Sequence, residues 1–413
     1  MMAFLYNIFI HLLIFGMKVF SLFNSKTKKG VEGRKQSLNR VKNAFSKDDK
    51  VIWMHAASLG EYEQGLPVLE KLKDEFPTYK ILVTFFSPSG YENVVKKKNI
   101  ADSVCYLPFD TKKNVYEFLS QINVELFFTV KYDYWYNLLH ELKNKGVKTF
   151  VISALFYENQ SFFTLYGKWF VKQLQTNVNW FFHQTKHSYL LAKSLGLVNA
   201  SVTGDTRFDR VKHLKHRDNH VDFIKEFIGE EKVVVFGSSW NAEEKIAKMI
   251  YGKNQNVKLI IAPHDLKRVE NLKEIFPDAI LYSNLKNAQN LKLSNAQTLI
   301  IDSIGLLSKV YSYADVAVVG GGFHSSGLHN ILEAATFGVP VVFGNQYKKN
   351  PEADDLIQSE GGKSFEHENE AAEFVLFLLN NEEELKRMSE NAGNFVAEQP
   401  NSSELILKKI LSL

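Results

Sequence analysis

The sequence predicts an α/β protein: two Rossmann-like doubly wound domains facing a central cleft, preceded by a hydrophobic membrane-anchor helix. Three observations carry that reading. Short runs rich in Val, Ile, Leu and Phe alternate with longer stretches whose apolar residues fall three and four apart, as in a parallel sheet covered by helices on both faces. The alternation pauses at one polar stretch and then resumes. The first stretch of the chain is almost wholly apolar.

The 413 residues suit two such domains, at roughly 100–200 residues per domain. With 45% hydrophobic and 23% charged residues, the composition is globular and excludes a disordered or fibrous chain. A net charge of +4 suits an anionic partner such as a nucleotide or a phosphorylated lipid surface. It is too small an excess to point to DNA or RNA, and no nucleic-acid motif is present. The single cysteine, Cys105, excludes an intrachain disulfide and a cysteine-based metal site, which places the folded part in a reducing cytoplasm.

From Phe4 to Phe23 the chain is apolar apart from Asn7, His11, Gly16, Lys18 and Ser21, and a basic flank with Lys26, Lys28, Lys29, Arg34 and Lys35 follows. No small-residue cleavage site follows the run and no basic region precedes it, which disfavours a signal peptide. The run can just cross a hydrocarbon core of about 30 Å, at a cost from His11 and Lys18 unless they snorkel. The expectation is an anchor, spanning or lying in the interface. The flank puts the rest of the chain on the cytoplasmic side of the inner membrane, beside anionic lipid.

Past the anchor, Val51–His55, Lys80–Phe85, Leu126–Val130, Thr149–Ile152 and Trp180–His183 read as buried strands. Helices are expected over Glu61–Phe76, Tyr91–Lys98, Lys112–Gln121, Tyr134–Lys145, Phe162–Gln175 and Lys186–Leu195. A polar stretch from Gly204 to Asp222 reads as an exposed connection. Strands then resume at Lys232–Phe236, Val257–Ile261, Ala279–Tyr282, Thr298–Ile301, Val316–Val319 and Val339–Phe343. The predicted division is 1–30 anchor and basic flank, 31–204 first domain, 205–225 linker and 226–413 second domain, with the last helix free to pack on either. Ligands of such sheets bind beyond the carboxyl ends of the strands.

Five groups of residues stand at those ends. After Val51–His55 comes a loop of small residues with Ser58 and Gly60, then Glu61 at a helix start, placed either to take a proton from a hydroxyl or to complement the helix dipole. After Val316–Val319 come Gly320, Gly321 and Gly322, then Ser325, Ser326 and Gly327, then a helix start near His329 and Asn330 with Glu333 one turn on. Glycines there permit close approach to a phosphate, and Asn330 and Glu333 share a face, Asn330 placed for the phosphate region and Glu333 for the ribose hydroxyls. It is not a P-loop, since the Lys-Ser/Thr ending is absent. Gly237, Ser238 and Ser239 precede a second helix start, and Pro263, His264 and Arg268 offer positive charge. Lys131, Asp133, Trp135 and Asn137 follow Leu126–Val130. There is no HExxH, no His/Cys cluster and no Asp-x-Asp, so neither a metal nor another cofactor is expected.

Together these motifs resemble the 3-deoxy-D-manno-octulosonic acid (Kdo) transferase family of lipopolysaccharide biosynthesis, glycosyltransferases of GT-B architecture. The resemblance rests on the apolar start, Gly33–Arg34, the loop with His55, Ala56, Ser58, Gly60 and Glu61, the segment Gly204 to Asp209, Gly237 to Ser239 with Glu243 and Glu244, Pro263 to Arg268, and Gly320 to Glu333. Its most specific core is Gly327-Leu328-His329-Asn330-Ile331-Leu332-Glu333. It implies metal-independent, inverting transfer of Kdo from CMP-Kdo to a lipid A precursor of the lipid IVA type.

The first domain would then bind the acceptor through Ser58, Gly60, Lys131, Asp133, Trp135 and Asn137, with Glu61 as base. The second would bind the donor through Gly237, Ser238, Ser239, Pro263, His264, Arg268, Gly321, Gly322, Ser326, Gly327, Asn330 and Glu333. Two departures stand out: the family's Glu-Thr-Glu-x-Trp-Pro-Asn is Lys131 to Asn137 here, and its Pro-Arg-His is Pro263-His264-Asp265. A GT-B enzyme using a UDP-sugar on a lipid-linked acceptor, and a non-catalytic lipid-binding homologue, are the alternatives.

Overall fold

The computed structural model describes residues 1–165, 167–285, 293–325, 327–348 and 350–413, together with the backbone but not the side chain of Ser294. The chain divides into two compact units, Met1–Asp209 with Pro400–Leu413, and Arg210–Gln399.

The first unit holds a seven-stranded sheet of β1 (Lys50–Ala56), β2 (Lys80–Phe85), β3 (Ser103–Tyr106), β4 (Asn123–Val130), β5 (Lys148–Ala154), β6 (Trp180–His183) and β7 (Ala200–Val202). Their order is β3-β2-β1-β4-β5-β6-β7, and every pair is parallel. The central strands are buried on both faces, as Ile52, Trp53, Met54, Leu82, Phe127 and Phe128 show. That explains their continuous apolar runs.

The second unit repeats the plan with β8 (Lys232–Ser239), β9 (Val257–Pro263), β10 (Ile280–Leu281), β11 (Thr298–Ile300), β12 (Val316–Val319), β13 (Val341–Gly344) and β14 (Gly362–Phe365), in the order β10-β11-β9-β8-β12-β13-β14. The two doubly wound sheets of the expected fold class are therefore present. The strand order switches sides between β1 and β4 and between β8 and β12, and such switches open a crevice for ligands at the strand ends.

Three strands were not anticipated: β3, β7 and β14. All lie at sheet edges, are three or four residues long and carry weaker apolar signals than the central strands. The polar stretch expected as an exposed linker is different too, because Thr206–His216 is a helix and Asp205, Thr206 and Asp209 are buried. Its polarity serves internal bonds. Asp205 pairs with Arg207 at 2.6 Å, Thr206 Oγ1 donates to the Gln64 carbonyl at 2.5 Å, and Asp209 accepts from the Ser402 N–H at 3.0 Å. Asp209 also takes the Ser403 N–H, so it caps the closing helix, Ser402–Leu411, a contact worth about 0.5–2 kcal/mol. That helix buries Ile406 and Ile410 in the core of the first unit.

The apolar start forms the helix Met2–Phe20, long and apolar enough to cross a membrane. The basic flank is not a loose tail. It belongs to a second helix, Ser25–Ala44, capped by Asn24 (Thr27 N–H to Oδ1, 2.9 Å), which runs through the expected boundary at residue 30. Arg34 fixes it: buried, it donates to the carbonyls of Gly30 (2.8 Å) and Phe86 (2.7 Å), and its guanidinium lies 4.5 Å from the Phe86 ring and 4.8 Å from that of Phe109.

Candidate functional site

In the first unit the residues at the β1/β4 reversal converge. Helix Leu59–Glu75 starts just beyond β1 with Ser58 as N-cap, and the Ser58 hydroxyl donates to Glu61 Oε2 in its first turn. His55, fully buried in β1, approaches the Thr84 Oγ1 at 2.9 Å through Nδ1 and Asp133 Oδ2 at 2.6 Å through Nε2. Asp133 is therefore held from behind. Thr129 Oγ1 donates to its carbonyl at 3.0 Å.

Lys131 sits in left-handed backbone (φ 62°), which costs a non-glycine residue about 1–3 kcal/mol and is characteristic of functional loops. Tyr132, missed in the sequence, joins the group: burial pushes its hydroxyl above the ordinary tyrosine range, and the negative charges of Glu61 and Asp133 push the same way. Asp205 lies close by. Burial acts to raise its carboxyl, but Arg207 and then Lys131 outweigh burial and hold it below the usual range.

Two expected acceptor residues have other tasks. Trp135 stacks on Phe86 with centroids 5.1 Å apart and planes at 17°. Asn137 is buried, with its N–H on Asp110 Oδ2 at 2.9 Å and its side chain on Asn7 of the first helix at 3.0 Å. Gly60 is exposed, with open space where a Cβ would stand.

In the second unit the expected donor residues stand in or beside the loops after β8, β9 and β12, apart from Ser326, which lies outside the described residues; of them Ser238, Pro263, His264 and Arg268 line one pocket. The glycines after β12 are needed for backbone crossing. A Cβ on Gly321 (φ 93°) would stand 2.2 Å from the Gly327 carbonyl oxygen, and one on Gly322 would stand 2.6 Å from that of Gly344. Gly321 does not offer its N–H outward, since it donates to Glu243 Oε1 at 3.1 Å.

Both expected anion cradles are also altered. The helix after β12 has only four residues, Leu332–Ala335, too few for a useful dipole; ahead of it Asn330 Nδ2 donates to Glu333 at 3.2 Å. Helix Asn241–Lys253 is long, but its start is occupied by the protein's own carboxylate: Trp240 N–H donates to Glu243 Oε2 at 2.8 Å. Arg268 is committed as well, in a two-pronged bond to buried Glu244 at 2.8 and 2.6 Å.

What remains open is a pocket of about 660 Å³ beyond β8, β9 and β11, lined by Ser238, Trp240, Pro263, His264, Arg268, Ser303, Ile304 and Leu307 among others. Ser238 is in left-handed backbone (φ 52°). Ser239 is fully buried, and its hydroxyl has no hydrogen-bond partner among the described residues. Trp240 and His264 stack at 4.4 Å, with His324 4.7 Å from Trp240 and His329 4.7 Å from His264. Trp240 and His324 were not anticipated; adjacent ring-bearing residues on three separate loops leave no signal in a linear sequence. Among the described residues, no three His, Cys, Asp or Glu side chains are grouped to hold a metal.

Residues 32–210 match the family model described as 3-deoxy-D-manno-octulosonic-acid transferase (kdotransferase). A bifunctional glycosyltransferase/methyltransferase of Fusobacterium nucleatum is 30% identical over 90% of this chain; the chain spans 59% of that relative's length. A 3-deoxy-D-manno-octulosonic acid transferase of Haemophilus influenzae is 26% identical, covering 85% of this chain and 84% of the relative. Among solved structures, a UDP-GlcNAc 2-epimerase from Neisseria meningitidis shares the fold at a TM-score of 0.61 and 16% identity, over 88% of this chain and 100% of its own.

Proposed function

We propose that the chain, whose residues 32–210 match the 3-deoxy-D-manno-octulosonic-acid transferase model and which is similar along most of its length to such transferases, is a glycosyltransferase of that family and transfers Kdo from CMP-Kdo to a lipid A precursor at the cytoplasmic face of the inner membrane. The observation that carries the acceptor half is a neighbourhood in the first unit. An aromatic pocket of about 610 Å³, walled by Met2, Leu5 and Phe9 of the first helix and by Phe162, Trp169 and Phe170, reaches Tyr132. Tyr132 feels the charge of Glu61. A lipid whose acyl portion fills the pocket would thereby present its sugar to a carboxylate.

In the proposed reaction Glu61, steered by Ser58, takes the proton of an acceptor hydroxyl. The freed oxygen bonds to the anomeric carbon of Kdo with inversion as the bond to the phosphate oxygen breaks. Cytidine monophosphate leaves into the pocket beside Ser238, Trp240 and His264. His55 and Asp133 keep the floor of the acceptor site rigid.

The first helix supports an interfacial anchor over a spanning one. Tyr6, Asn7, Ile10, Leu13, Ile14 and Met17 form one stripe turned to the protein, with Ile10 buried, while Phe4, Ile8, Leu12, Phe15, Val19 and Phe20 stand exposed. A helix docked along a folded unit with its other face apolar is suited to lie in the headgroup boundary. It would hold the site beside an acceptor that cannot leave the bilayer.

The test is mass spectrometry of the product after incubating the full chain, in anionic vesicles, with CMP-Kdo and a lipid A precursor. A Kdo-bearing lipid is expected. Inhibition by uridine diphosphate with indifference to cytidine monophosphate would instead select a UDP-sugar donor, and nucleotide binding without any product would select the non-catalytic reading.

A further inference from the structure

The donor pocket has an unbalanced electrostatic inventory. A departing nucleotide phosphate is an anion, yet Arg268 is spent on Glu244, the start of helix Asn241–Lys253 is filled by Glu243, and the helix after β12 is too short to help. One imidazole, His264, stands in the pocket wall, and two more lie against it and against Trp240. His264 stacks face to face on Trp240, His329 lies 4.7 Å from His264, and His324 meets Trp240 edge-on at 4.7 Å. They come from the loop after β9 and the loop after β12, so the fold, not sequence proximity, brings them together.

We propose that His264, His324 and His329, gathered around Trp240, form a proton-loaded anion site: binding a nucleotide phosphate draws about one proton from solvent onto the cluster, and that cation then holds the leaving group. The idea rests on the donor reading above and adds the source of its positive charge.

The geometry without ligand suits this. The indole N–H of Trp240 points at His329 Nε2 at 3.5 Å, which requires an unprotonated nitrogen. Burial, then the neighbouring His264 and His324, push His329 down to about 4. Burial lowers His264 as well, opposed by Asp265 and reinforced by His324. The other carboxylates around the cluster have partners of their own: Glu243 binds Trp240 and Gly321, Glu244 binds Arg268, and Glu333 accepts from Asn330. An arriving phosphate would supply the missing counter-charge and raise His264 and His329 toward protonation.

The test is calorimetric titration of the full chain with cytidine monophosphate, in chelator and in two buffers of different ionisation enthalpy. Uptake of about one proton is expected, with affinity falling up to about tenfold per pH unit between roughly pH 6 and pH 8. Cytidine without phosphate should bind without uptake. His324→Asn and His264→Gln should each flatten the pH dependence. Should either variant misfold, histidine ring NMR resonances of the unaltered chain give the same answer, moving toward the protonated form on nucleotide addition.

Cytidine monophosphate binding with no buffer dependence and no ring shift would overturn this inference and leave the donor reading standing. Proton uptake with uridine diphosphate in place of cytidine monophosphate would sink the donor assignment and leave the inference. Binding of neither nucleotide would end both.

Discussion

At Glu61 the whole chemical case narrows to one proton acceptor, and Glu61→Gln should lower turnover by about 10²–10⁴-fold while nucleotide affinity holds, measured by product formation and calorimetry. Its neighbours are arranged for different work. Asp133 is a positioning residue: Asp133→Ala leaves buried His55 without its Nε2 partner and should destabilise the first unit by about 1–3 kcal/mol, read by thermal melting. Asp110 provides a pH test. Burial pushes its carboxyl up to about 7 despite bonds from Tyr6, Asn137 and Leu138. The folded chain therefore keeps a proton that the unfolded chain has released between about pH 4 and pH 7. Stability from this group falls as pH rises through that window, and melting curves of Asp110→Asn should lack that component.

The first helix shows where sequence reasoning succeeds and where it stops. Its apolarity was legible, since it depends only on residue type. Its docking was not, because the stripe with Tyr6 and Ile10 is recognised only against Asp110, Tyr136 and Trp169, more than a hundred residues away. Tyr6→Phe removes both the bond to Asp110 (2.7 Å) and the bond from the Tyr136 N–H (3.1 Å). Faster hydrogen exchange along Met2–Phe20 is the expected result, with the rest of the unit unchanged.

The same logic explains the sheets. The central strands announce themselves because burial on both faces demands continuous apolar runs, whereas β3, β7 and β14 sit at edges and need less. The stretch Gly204 to Asp222 misled for the opposite reason: its polar side chains look solvated but Asp205, Thr206 and Asp209 are consumed by internal bonds. Asp209→Ala should accordingly loosen the closing helix and lower the melting temperature of the first unit.

At the scale of the molecule, the proposed reaction draws on two doubly wound sheets, each with a group at a strand-order switch: the Glu61 carboxylate in the first and a pocket walled by Trp240 and His264 in the second. The glycines near β12 and the loop at Glu61 could be picked from sequence because small residues at strand ends have few other uses. Arg268 could not be discounted there, since its pairing with Glu244 is a fact of packing. Single-turnover transfer from labelled CMP-Kdo to a vesicle-borne lipid A precursor, by the unaltered chain and by Glu61→Gln, tests the proposed chemistry most directly. Labelled lipid with the former and almost none with the latter, at equal nucleotide occupancy, is the predicted result; equal labelling by both proteins would contradict it.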